Sequence, residues 1–182
     1  MTYYGGRELA AAFRTVRKNT SRIASEIPED QFDFRPAPGS RSIRETLVHI
    51  ALAPTFATHV HANQIDDMKK VNFQALMETI GADQAKPRSK ADIVALLDVE
   101  GEQFASYLAG LSESFLAETV TMMPGAEPPA RSRFDMLLGA KEHEMHHRAQ
   151  LMVMERMIGI VPHLTREFQE RMARMQAAQA QK

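Results

Sequence analysis

Four stretches of this chain carry apolar residues at helical spacing, and none carries them at strand spacing. Over residues 7–27, Leu9, Phe13, Val16 and Ile23 fall on one side of a helix. No run alternates apolar and polar residues with Val, Ile or Thr between turn signals, which argues against a sheet of any size. Ala, Leu, Met, Glu, Gln, Lys and Arg, the good helix formers, dominate, with 12 methionines and no tryptophan. The expected fold class is all-α.

Pro28 stops the first helix, and Pro36, Pro38 and Gly39 mark a loop over residues 28–41. A second helix opens at Ser42, with Glu45 three residues on; hydroxyl and carboxylate each satisfy an orphan backbone donor. It continues to about residue 66, apolar on one side through Ile43, Leu47, Ile50 and Ala57 and on another through Val48, Leu52, Phe56 and Val60. A helix apolar on two sides is central in a bundle, and Pro54 should kink or split it. Residues 67–88 form a long connection of the crossover kind, in which Phe73, Leu76, Met77 and Ile80 suggest a short covering helix. The third helix starts near Ser89, with Asp92 three on, and carries Ile93, Leu96, Leu97, Phe104, Leu108 and Leu111. After a Pro- and Gly-containing loop over residues 121–130, a fourth helix covers residues 132–158; Gly159 stops it and Pro162 follows. The expectation is one four-helix bundle over residues 1–162, with a long crossover connection and an extra C-terminal helix as a partly frayed tail over residues 163–182.

The chain of 182 residues suits one domain. Lacking cysteine, it excludes disulfides, thiolate zinc sites, iron–sulfur clusters and a cysteine nucleophile of its own. With 22 basic and 23 acidic residues, it has no electrostatic footprint for nucleic acid or an anionic membrane. Arg166, Arg171, Arg174 and Lys182 are interrupted by Glu167 and Glu170 and read as a solvated helix face. No apolar stretch is long enough to span a bilayer and no basic-then-apolar start marks a signal peptide, so a cytoplasmic protein is expected. Met136, Met152, Met154, Met157, Met172 and Met175 read as core filler or as a dimer face.

One helix breaks its own pattern. Steps of four and three along the fourth helix place Met136, Ala140, His143, His147, Gln150, Met154 and Met157 on one seam, directed at the core. Burying a polar group without a partner costs about 1–3 kcal/mol, and a bundle has no structural need for two core histidines one turn apart. Imidazoles at i and i+4 converge on a common point, and neutral imidazole is the commonest metal ligand. His143 and His147 therefore read as half of a metal site; the plainer alternative is a hydrogen-bonded histidine pair. A catalytic metal takes three protein ligands plus water. His146 points about 100° away from His147, and His163 follows Pro162. His59 sits in the polar part of the second helix. His49, among Val48, Ile50, Leu52 and Phe56, is the best third ligand, and His61, on the Ile43–Leu47–Ile50 stripe, competes with it.

His143-Glu144-Met145-His146-His147 also spells H-E-x-x-H, the zinc-protease helix, in which Glu144 would be the general base and Glu167 a third ligand. Pro162 intervenes before Glu167, residues 149–153 supply neither the histidine nor the glycine of the extended protease pattern, and no sheet edge is evident to present a substrate.

The stretch from Lys141 to Leu151, with His143, His147, Arg148, Ala149 and Gln150, followed by Gly159-Ile160-Val161-Pro162, resembles the C-terminal signature of the DinB/YfiT-like family. Arg35-Pro36-Ala37-Pro38-Gly39 and the helix start from Ser42 to Ile50, with its single His49, resemble the family's Pro-containing loop and second helix. Ala149 stands where glycine is commoner, and the family's tryptophan-rich start of helix 2 is not matched. The resemblance implies a four-helix bundle that forms a homodimer and holds a divalent transition metal, Zn or Ni foremost and Fe or Mn next, through His49, His143 and His147. It implies a metal-dependent enzyme acting on a small molecule, as a hydrolase or as a transferase using a low-molecular-weight thiol. Glu45, Glu144 and Gln150 are candidates to orient an imidazole. The catalytic residues are not identified by the sequence. The contrasting class is a non-enzymatic, metal-stabilised helical dimer or interaction module, which a closed site with a fourth protein ligand would mark.

Overall fold

The computed structural model describes residues 4–180. Eight α-helices run in the order α1 (Gly6–Glu26), α2 (Ile43–Leu52), α3 (Pro54–Ala62), α4 (Phe73–Gln84), α5 (Lys90–Ala109), α6 (Glu113–Ala117), α7 (Arg133–Met157) and α8 (His163–Ala180). The bundle consists of α1, α2 with α3, α5 and α7; α1 packs most extensively on α5, and α2 lies against both α5 and α7.

Local sequence explains where the helices begin. Ser42 Oγ accepts from Glu45 N at 3.1 Å while Ser42 N donates to Glu45 Oε2 at 2.8 Å, and Ser89 with Asp92 repeats the arrangement at α5. Ser132 caps α7 by accepting from Asp135 N. Pro54 splits the second helix: α2 closes with Ala53 N donating to His49 O, and the proline, having no N–H to place, opens α3.

Between α6 and α7 lies what the helical pattern did not announce. Strand β1 (Thr119–Thr121) pairs antiparallel with β2 (Ala130–Ser132), Val120 opposite Arg131. The expectation of no sheet is corrected by these three-residue strands, too short to display an alternation. Val120 is buried between two exposed threonines and joins Val60, Met68 and Val71 in a small cluster of its own.

Two larger clusters fill the bundle. One gathers Ile23, Ile27, Ile43, Leu47, Leu97 and Leu151; the other gathers Leu9, Phe13, Phe104, Leu108 and Leu137. Arg17, 4% exposed, is also buried in the bundle. Its Nε lies 3.0–3.1 Å from both carboxylate oxygens of Glu144, Nη1 donates to Leu97 O at 2.7 Å and Nη2 to Ile50 O at 3.1 Å. One side chain of α1 thereby ties α2, α5 and α7. Gly101 makes room for it: a Cβ there would stand 2.6 Å from Arg17 Cγ.

The core-facing stripe of α7 is Leu137, Glu144, Leu151 and Met154. The expected seam is displaced from it by part of a turn: His147 and Met154 are buried, Met136, Ala140 and His143 are half-buried, Gln150 is exposed, and Met157 is exposed outright. The stripe was misread because Glu144 looks like a surface residue until Arg17 is brought to it. At α8, buried His163, Arg166 on Glu26 at 2.7 Å and Glu167 on Arg22 hold the first turns. Farther on, Phe168, Met172 and Met175 are exposed. Among the described residues no helix is long and apolar enough to cross a membrane.

Candidate metal centre

His49 sits in the last turn of α2, and His143 and His147 lie one turn apart on α7, the helix against which α2 packs. The three imidazoles meet edge to face, with ring centroids 4.5–4.9 Å apart. His143 Nε2 is 3.1 Å from His49 Nε2 and 3.1 Å from His147 Nε2.

Proton counting shows why this arrangement calls for a cation. His147 Nδ1 lies 2.8 Å from Gln150 Oε1, which can only accept, so Nδ1 carries the proton and Nε2 presents a lone pair. The same amide is anchored at its other end, with Nε2 donating to His146 Nε2 at 3.1 Å. A neutral His143 Nε2 has either one proton or one lone pair, so hydrogen bonding cannot satisfy both of its short contacts. One shared cation satisfies all three nitrogens at once. Metal–nitrogen bonds of about 2.0–2.1 Å at tetrahedral angles set nitrogens about 3.3 Å apart, close to the 3.1 Å seen here. His143 Nδ1 has no partner among the described residues, so coordination at Nε2 would itself settle that proton on Nδ1. His49 Nδ1 stands 3.3 Å from the Gln84 amide; with Oε1 turned toward it, that amide accepts from Nδ1–H and leaves Nε2 for the cluster.

Electrostatics keep the rings neutral. Burial, followed by the nearby charges of Arg41, His143 and His147, brings His49 down to about 4. His143 and His147 are lowered as well, chiefly by burial, with the Gln150 contact opposing the shift at His147. No other group of three or more His, Asp or Glu residues among the described residues brings its ligand atoms together this closely.

The remaining candidates lie elsewhere. His61, on α3, is buried; Arg133 Nη1 is 3.3 Å from its Nδ1, and burial with that guanidinium lowers it to about 4. It faces Arg133 rather than the triad, lying twelve residues, about 18 Å of helix, beyond His49. His59 borders a separate groove beside Thr55 and Tyr107. His146 is exposed on Gln150, and His163 opens α8 beside Asn19. Glu144 is held by Arg17, Glu45 by its cap and Arg35, and Glu167 by Arg22. The H-E-x-x-H spelling thus lacks its base and its third ligand.

Two cavities reach the triad from different sides. One, about 550 Å³, is apolar, with Phe56, Phe73, Met77 and Met136 in its wall and His49 and His143 among its lining residues. The other, about 660 Å³, is lined by Thr46, His147 and Gln150 together with residues of the Pro-containing loop. Arg41 borders both. Gln84 and Arg41 escaped sequence reasoning: one lies in the crossover and the other in a loop, where no periodicity assigns a side chain to a site.

The sequence model of the DinB superfamily matches residues 12–151, a span containing all three histidines. YjoA of Bacillus subtilis is 26% identical over 152 residues, 84% of this chain and 90% of its own length. The crystal structure of that DinB-like protein superposes with a TM-score of 0.62 at 21% identity, over 84% of this chain and 92% of its own. A DinB-like protein from Bacillus cereus gives 0.64 at 15% identity, covering 85% and 93%. YfiT of Bacillus subtilis, described as a probable metal-dependent hydrolase with an unusual four-helix bundle topology, gives 0.64 at 13%, covering 88% and 91%. With helices, crossover and matched span in agreement, the chain belongs to the DinB superfamily.

Proposed function

We propose that this protein is a metal-dependent enzyme acting on a small molecule, with His49, His143 and His147 as the protein ligands of one divalent transition metal. The observation that carries this is the convergence of three Nε2 atoms with too few protons to bond one another. Three neutral histidines leave such a metal its full charge and an open position, where it polarises a carbonyl or lowers the pKa of water toward about 7. The imidazole donors favour Zn or Ni over Mn. Gln150 orients His147, Gln84 orients His49, and the apolar wall of the 550 Å³ cavity keeps bulk water from the bound molecule.

Hydrolysis is the first reaction proposed, on the description of YfiT. Transfer to a low-molecular-weight thiol is the second, since the chain has no cysteine to supply one. Elemental analysis of wild type, His49→Ala and His147→Ala decides the centre: about one metal per chain, lost in both variants, is expected. A metal-free wild type after zinc and nickel reconstitution would overturn it. Turnover of ester and amide panels with and without added thiol separates the two reactions. We also propose a homodimer through Phe168, Met172 and Met175 of α8; light scattering at monomer mass, unchanged by Met172→Glu, would refute it.

A further inference from the structure

Arg41 has no assigned partner. Its guanidinium makes no hydrogen bond or salt bridge to another described residue. Glu45, the carboxylate whose field it shares, is taken by Arg35 at 2.5 and 2.6 Å. Arg41 is also the only charged side chain lining either cavity at the triad, and no acid lines them. It borders the same two cavities that His49, His143 and His147 line. Arg41 is exposed to solvent, and a cation at the edge of both cavities, with no acid lining either, is placed to meet an anion entering them.

The neighbouring cavity tells what the anion is attached to. Its volume of about 550 Å³ is that of a site for a small organic molecule. Two of its lining residues are glycines inside helices, Gly81 of α4 and Gly139 of α7. Helical glycine is less stable than alanine by about 1 kcal/mol, and a Cβ at either position would meet nothing within 4 Å. Packing does not demand these glycines; what they leave is room in the cavity.

We propose that the apolar cavity binds the hydrocarbon part of a small carboxylate or acyl compound, and that Arg41 binds its carboxylate or carbonyl oxygen at the edge of the histidine cluster. Arg41 is then the residue that selects anions, and the two glycines set the length and bulk of the chain accepted. The assignment of an acyl substrate rests on the metal-dependent reading above, whereas binding of the carboxylate product does not.

The test is calorimetric titration of octanoate, octan-1-ol and octylammonium into metal-free and zinc-loaded protein. Octanoate is expected to bind the metal-free chain at least about tenfold more tightly than octan-1-ol, as a charge-assisted contact allows, and octylammonium is expected not to bind. In the metal-free chain, where zinc cannot hold the carboxylate, Arg41→Gln should lose that tenfold for octanoate and leave octan-1-ol unchanged. Gly139→Leu should weaken both ligands, and Gly81→Leu, on another helix, repeats the test if circular dichroism shows the first variant misfolded. Equal affinity for octanoate and octan-1-ol, an unaffected Arg41→Gln, or filled variants that bind like wild type would each overturn the proposal. Octanoate binding in a chain that takes up no metal would overturn the metal centre alone; zinc uptake without octanoate binding would overturn this proposal alone.

Discussion

A carboxylate that serves as a general base must reach the reacting atoms, and Glu144 reaches Arg17 instead. Both are buried, and removing one partner of a buried pair strands the other charge at about 3–5 kcal/mol. Glu144→Ala is therefore expected to lower unfolding free energy in urea by that amount, with the metal retained by the folded fraction. The double variant Arg17→Met/Glu144→Leu should recover much of the loss. A Glu144 variant of full stability and no activity would instead restore the carboxylate to the chemistry. Glu155 is a second buried carboxylate, with neither oxygen partnered among the described residues. Burial and then Glu26 push it from 4.5 up to about 7. The folded state thus holds the proton more tightly than the unfolded chain. The resulting stability is complete below about 4.5, declines as pH rises to about 7, and is level above; the shift corresponds to about 3 kcal/mol. Glu155→Gln should gain in melting temperature relative to wild type between pH 5 and pH 8, and an equal difference at both would refute the raised value.

At the scale of elements, two glycines of long helices should respond to the same substitution with opposite signs. Gly101→Ala drives a methyl to 2.6 Å from Arg17 Cγ and should destabilise by about 1–3 kcal/mol. Gly139→Ala meets nothing and should stabilise by up to about 1 kcal/mol; thermal denaturation of both variants checks the pair. The helix starts were legible because Ser42, Ser89 and Ser132 cap through neighbours three residues away. The pairing of His143 with His147 was legible for the same reason, being one turn of one helix. His49 against His61 was not, because which of them meets His143 and His147 depends on how the second helix lies against α7. The Arg17–Glu144 tie spans 127 positions and the Gln84–His49 contact 35, distances at which no local periodicity speaks. The displaced seam of α7 has the same origin, since a buried glutamate is invisible until its arginine is known.

At the scale of the molecule, the histidines come from two helices that Arg17 also ties, so a cation at the centre and the folded bundle support each other. Zinc at 100 times its dissociation constant should stabilise the protein by about 2.7 kcal/mol, seen as a raised melting temperature. His147→Ala should show no such rise, and an equal rise in the variant would place the zinc elsewhere. Stability and access are divided between different parts of the chain. The bundle helices hold the two large clusters, whereas α4, which walls the cavity and supplies Gln84, has no fully buried residue. Its detachment is therefore among the least costly excursions open to the protein, and one such excursion uncovers the cavity and takes the amide from His49 together. Admission of a ligand and the set of the imidazole would then be on one latch, since the helix that walls the cavity is the helix that holds the first histidine through Gln84.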